Sequence, residues 1–224
     1  MDVFIYFTLA PFIFSVIFAF FLIYNTNLSI YILLIVSLFS FLAIFISSLL
    51  QLLTSFLLSQ FLQQENTLTI FFNSFIYSGA IEEITKFLFF YVVISFVIPS
   101  HCKKLEENAT CHFEKAKKQF LILVMFFASC FAGFENIAYM VFNIKILHIR
   151  LITATLFHIF VSPYYLKSIL KTNNIRPSFL IIPIFLHGTY NILITSGGIF
   201  SLLSFVIILF LVIRTSQIAR FGLN

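Results

Sequence analysis

The chain has 224 residues, 61% of them hydrophobic and only 9% charged, whereas a soluble domain carries about a quarter of its residues charged. A water-soluble globule is therefore excluded, and apolar runs that are continuous rather than alternating argue against a β-barrel. The formal net charge of +5 is the basic excess that cytoplasmic loops of membrane proteins carry, so it calls for no nucleic-acid partner.

A membrane-spanning helix needs about 20 apolar residues. In chain order the segments that meet or approach this are 3–24, 29–50 (or on to 62), 70–98, 119–142, 149–170, 178–195 and 198–215. The first begins without a basic n-region or a small-residue cleavage site, so it reads as a retained span rather than a signal peptide. Short polar connectors divide the segments: NTN at 25–27, QQEN at 63–66 and KTNNIRP at 171–177. The longest polar stretch is the loop 99–118. No repeat and no soluble appendage interrupts the pattern. The expected fold is all-α: a polytopic transmembrane helical bundle of about seven spans, forming one integral membrane domain over 1–224.

Basic residues orient the bundle. With seven spans, Lys103, Lys104, Lys115, Lys117, Lys118, Lys167, Lys171, Arg176, Arg214 and Arg220 fall on one side, and only Lys145 and Arg150 on the other. The first side is then cytoplasmic, with the N-terminus outside and the C-terminus inside. Loop 99–118 becomes a basic cytoplasmic loop beside anionic headgroups. His101, Cys102, Cys111 and His112 within it do not match zinc-knuckle spacing, and in a reducing compartment the thiols stay free.

Four segments carry ionisable groups where hydrocarbon is expected. Each charged residue near a span centre costs roughly 2.5–3.5 kcal/mol. Glu82, Glu83, Lys86 and Glu135, if unpaired, would thus cost on the order of 10 kcal/mol. His158 and His187 add two imidazoles. At 1.5 Å per residue, Glu82, Glu135, His158 and His187 all fall two to three turns from the outer ends of their spans. Independent structural groups have no reason to share a level, whereas one site does.

Helical periodicity agrees with a shared site. Ala128, Ala132, Glu135, Asn136 and Tyr139 form one stripe, and Thr155, His158, Ser162 and Tyr165 form another. His187 and Asn191 are one turn apart, and Ser78 or Gly79, Glu82, Glu83 and Lys86 share a face. Gly79, Gly133 and Gly188 each lie within three residues of Glu82, Glu135 or His187, where they would permit close approach of helices, water or a substrate backbone.

These residues resemble a known family. EEITK (Glu82 to Lys86) matches an EExxK motif. AGFENIAY (Ala132 to Tyr139) matches a second motif, in which a Gly-Phe segment precedes Glu-Asn and a Tyr. A lone His in the next span and HGTYN (His187 to Asn191) follow in order. The chain resembles the PrsW family of bacterial intramembrane proteases over about residues 78–195. More distant likenesses are to the CAAX prenyl endopeptidases and to bacteriocin-processing and self-immunity membrane proteins. The resemblance implies a multi-pass endopeptidase of the bacterial cytoplasmic membrane with its catalytic core at about 70–195. The named family member cuts a single-pass anti-sigma factor on the extracytoplasmic side, so the implied partner is a single-pass membrane protein within the lipid bilayer.

Amide hydrolysis needs an activated water, an oxyanion stabiliser and a proton donor for the leaving amine. The pair Glu82/Glu83 can hold one proton between two carboxylates and act as base, then acid. One of the two, with His158, is the expected water activator; His187 and Asn191 would serve the oxyanion, and Glu135 would orient a histidine. Lys86, Asn136 and Tyr139 are supporting residues. A metal-assisted scheme is the alternative, with zinc held by some of Glu82, Glu83, Glu135, His158 and His187. No HExxH helix is present, and metal-independent glutamate catalysis is favoured. Cys130 faces away from Glu135 and reads as a core thiol. Intramembrane Glu, His and Lys also build proton- or cation-coupled transporters, and a non-catalytic protein sheltering a partner helix is a third alternative.

Overall fold

The computed structural model describes the backbone of residues 12–26, 28–59, 67–102, 109–142, 144–170 and 177–221. All seven apolar segments are helical within these bounds. α1 is Ile13–Thr26, α2 Ile30–Ser59 and α3 the short Thr67–Phe71, which runs into a π-helical segment, Phe72–Ile81, and then α4, Glu82–Cys102. α5 is Ala109–Phe142 and α6 Ile144–Val161, followed by α7, Pro163–Leu170. A 3-10 turn, Pro177–Leu180, opens α8, Ile181–Ser196, and α9 is Gly198–Phe221. His101, Cys102, Cys111 and His112 lie outside the described side chains.

Among the described residues, four stretches are long and apolar enough to cross a membrane: Ile30–Leu57, Lys118–Tyr139, Ser178–Ser196 and Gly198–Ala219. The other three segments are helical over the residues described. α1 is described over 14 residues, Ile13–Thr26. The helix through Glu82 carries Glu82, Glu83 and Lys86 within two turns. The segment at 149–170, read as one span, is broken at Ser162, because Pro163 has no N–H to continue the ladder and begins α7 instead.

Burial identifies the central helix. In the most apolar 18-residue window, 72% of the span Lys118–Tyr139 is buried, against 22–28% for the other three spans. α1, α2 and α6 pack on α5, α2 also packs on α4, and α8 packs on both the π-helical segment and α9. Phe90, Val124, Phe127 and Phe131 fill one core; Ala154, Phe157, Tyr190 and Leu211 fill a second. The surface inverts that of a soluble protein. Phe20, Leu52, Phe56, Ile181, Ile199 and Val206 are among the exposed large apolar side chains, while Glu83 and Lys86 are fully buried. Water would penalise such an exterior, and lipid would not.

The π-helical segment and α8 approach to backbone contact. A Cβ at Gly79 would lie 3.0 Å from the Ile184 carbonyl oxygen and 3.4 Å from the Gly188 nitrogen. A Cβ at Gly188 would overlap the Phe75 ring at 2.3 Å. Glycine is therefore required where these two walls meet. The π form, usually confined to a single turn, extends here over 10 residues and ends at Glu82, whose N–H donates to the carbonyls of Ser78 and Gly79.

Candidate functional site

Six elements each send a polar side chain into one buried cluster, held together by hydrogen bonds and ion pairs. α4 supplies Glu82, Glu83 and Lys86; α5 supplies Glu135; α6 supplies Arg150 and His158. Tyr165 comes from α7, His187 from α8 and Gln51 from α2. All but Gln51 are buried.

Glu83 is the most heavily bonded member. It accepts from Lys86 Nζ and from the Tyr165 hydroxyl, and His187 Nδ1 donates to its Oε1 at 2.7 Å. Three donors on one carboxylate require it to be an acceptor throughout. Lys86 also reaches His158 Nδ1 at 2.9 Å, and its ammonium sits 4.7 Å from the centre of the Phe131 ring. With Nδ1 accepting from Lys86, His158 carries its proton on Nε2 and donates it to Glu135 Oε2 at 2.9 Å. The other oxygen of Glu135 accepts from the Arg150 guanidinium, which stacks 3.6 Å from the Tyr139 ring centre. Asn136 donates to Thr155 at 3.0 Å.

Glu82 differs from the other two carboxylates. Its Oε1 accepts from Gln51 Nε2 at 2.9 Å, but its Oε2 is buried with no hydrogen-bond partner among the described residues. His187 Nε2 faces that oxygen at 3.7 Å, beyond hydrogen-bonding distance. With Nδ1 donating to Glu83, the neutral His187 ring presents a bare lone pair at Nε2. Two acceptors thus oppose each other across a gap. Among the described residues, two cations face three carboxylates: Lys86 pairs with Glu83 and Arg150 with Glu135, so Glu82 has no cation of its own.

The histidines are fixed by aromatic rings. Phe157 stacks on Tyr190 at 4.7 Å and lies 5.2 Å from His187 and 5.6 Å from His158. The two imidazole centroids are 5.1 Å apart.

Glu82, His158 and His187 offer ligand atoms within 4.8 Å of one another. Both ring nitrogens of His158 are engaged, however, one of them by an ammonium cation that would repel a divalent ion. Two bare ligand atoms remain, where a hydrolytic zinc needs three. Proximity favours a metal and protonation does not; the second consideration is the stronger, because a ligand nitrogen must present its lone pair.

Glu82, Glu83, Glu135, His158, His187 and Lys86 all lie in the cluster. The expected pairing of a glutamate with His158 differs from the geometry: His187 is the ring set against Glu82, and His158 is given to Lys86 and Glu135. Among the described residues, no hydrogen bond ties Asn191 to the cluster. Asn191 instead lines an adjacent open cleft together with Tyr139. Cys130 is buried in the core. Three members were not anticipated in these roles. Arg150, counted as a flanking charge, is buried eight residues before His158, a spacing that puts both on one helical face. Gln51 is flanked in α2 by Leu49, Leu50, Leu52 and Leu53. Tyr165 was on the His158 stripe without a role. No protein-family model, curated protein or solved structure matches this chain.

Proposed function

We propose that this protein is an intramembrane endopeptidase of the PrsW type in which Glu82 is the general base. The observation that carries the reading is the gap between Glu82 Oε2 and His187 Nε2. Glu83 and Glu135 have a donor on each oxygen, so neither keeps an oxygen with both lone pairs free. Glu82 keeps one, next to a second acceptor, and a water beside the pair can donate to both.

The chemistry follows from those positions. Glu82 takes a proton from the water as its oxygen bonds to the scissile carbonyl carbon. Asn191, one turn beyond His187, offers an amide donor to the developing oxyanion. When the C–N bond breaks, Glu82 returns the proton to the leaving amine. Glu83, held by Lys86 and Tyr165, fixes the His187 tautomer. Glu135, held by Arg150, does the same for His158. The fit of donors favours a water over a zinc ion as the occupant of the gap.

The proposed setting is a seven-span protein of the bacterial cytoplasmic membrane with its N-terminus outside. Burial of Arg150 supports that orientation. With Arg150 removed from the loop charges, ten basic residues on the cytoplasmic side oppose one, Lys145. The site then opens toward the extracytoplasmic boundary, and the substrate is a single-pass membrane protein.

The test compares source-cell membranes carrying wild-type protein or Glu82→Gln. New N-termini within single-pass proteins, near the extracytoplasmic boundary, are expected with wild type only. Identical sets of N-termini in the two membranes would refute the peptidase reading. Substrate-dependent uptake into liposomes would then favour a transporter.

A further inference from the structure

Beside the cluster lies an open cleft of about 260 Å³, walled by the π-helical segment and by the C-terminal half of α8, with Arg150 and Tyr139 in its lining. Its mouth is at one end of the bundle, since Thr195 is the penultimate residue of α8 and Asn73 the second of the π-helical segment.

The cleft's polar side chains are unusual for helices in a membrane. A hydroxyl there normally bonds to the carbonyl one turn back. Thr85 does so to Ile81 at 2.6 Å, Ser95 to Tyr91 at 2.8 Å and Thr189 to Phe185 at 2.8 Å. Ser74, Ser78 and Thr195 do not, and among the described residues neither they nor the amides of Asn73 and Asn191 have a side-chain hydrogen-bond partner. Arg150, only 6% exposed, adds its guanidinium to the wall. The lining thus combines donors and acceptors kept free of the protein's own backbone.

A ligand matching that mixture is a peptide backbone outside a helix. Unwinding a helix at a membrane boundary frees N–H and C=O groups, each costly unless re-bonded. A bond to be hydrolysed must be unwound in this way, because helical packing shields its carbonyl carbon. The cleft is one turn from the gap along two walls: Ser78 precedes Glu82 by four residues, and Asn191 follows His187 by four.

We propose that this cleft binds the substrate stretch beside the cleaved bond in extended form. The Asn, Ser and Thr side chains re-bond its backbone N–H and C=O groups. The inference rests on the peptidase reading and names what that site selects: local helix-breaking sequence at the membrane boundary rather than a particular side chain.

The test uses the full-length protein in lipid nanodiscs carrying Glu82→Gln, so that capture is read without cleavage. The probe is a pooled library of synthetic single-pass peptides sharing one apolar span and randomised over six residues at the membrane boundary. A photo-cross-linking residue at Ile194, on the cleft wall, captures bound peptides for sequencing. Gly, Pro, Asn and Ser are expected to be enriched at least fivefold over Leu, Ile and Ala in the captured pool. The double change Asn73→Leu with Thr195→Val, both apolar replacements at exposed positions, should abolish the enrichment. Capture without such a bias, an unchanged bias in the double variant, or no capture above an uncross-linked control would each overturn the cleft. Cleavage of the same library by the unaltered enzyme is scored separately. Biased capture without cleavage would retain the cleft and remove the peptidase, whereas cleavage without biased capture would do the reverse.

Discussion

Replacing Arg150 with Met tests whether its charge belongs to the interior or to a solvated flank. The guanidinium is buried, donates to Glu135 and stacks on Tyr139 at 3.6 Å. Deleting one partner of a buried ion pair costs about 3–5 kcal/mol, because the other charge is left uncompensated. The stacking contributes about 0.5–2 kcal/mol more. Glu135 would keep only the His158 donor, so a loss of about 4 kcal/mol is expected, read at the lower end of those summed ranges. Unfolding in mixed micelles titrated with sodium dodecyl sulfate, followed by helix content, measures it. Adding Glu135→Gln to Arg150→Met should recover most of the loss, since removing both partners of a buried pair is close to neutral. A loss under about 0.5 kcal/mol, typical of exposed sites, would refute the burial argument, as would a double variant no more stable than the single one.

Three further outcomes separate the roles within the cluster. Glu83→Gln should destabilise the fold by about 3–5 kcal/mol, since it strands Lys86, whereas Glu82→Gln keeps its Gln51 partner and should unfold within about 0.5 kcal/mol of wild type; the same detergent titration compares them. Gly188→Ala should cost about 1–3 kcal/mol by driving a methyl into the Phe75 ring, and Phe75→Ala in that background should restore thermal stability in nanodiscs. Washing the purified protein with a strong chelator should leave cleavage of a captured library peptide unchanged; activity that is lost and returns only with zinc would replace the glutamate scheme with a metal one.

Much of this interior could be read before any coordinate, because lipid makes charge expensive. The level of Glu82, Glu135, His158 and His187 along their spans follows from helical rise alone, and those side chains do share one cluster. The partner each takes could not be read. It depends on how each helix is rotated, and a rotation of some tens of degrees exchanges His158 for His187 beside Glu82. Arg150 was misplaced for a related reason: drawing the membrane boundary at residue 149 turns a buried ion-pair partner into a loop charge. The break at Ser162 is visible in the proline that follows it. The π-helical segment is not visible, since stripes drawn at 3.6 residues per turn presume the α form.

The contact between Gly79 and Gly188 acts as a gauge block for the chemistry. It lies three residues from Glu82 and one from His187, so main chain resting against main chain sets the width of the gap between their side chains. Exchanging Leu, Ile and Phe on the lipid-facing shell leaves that dimension untouched. A single methyl group at either glycine would reset it. The greasy exterior is therefore free to follow whatever composition the host genome imposes, while the tolerance of the machine resides in two residues that have no side chain at all.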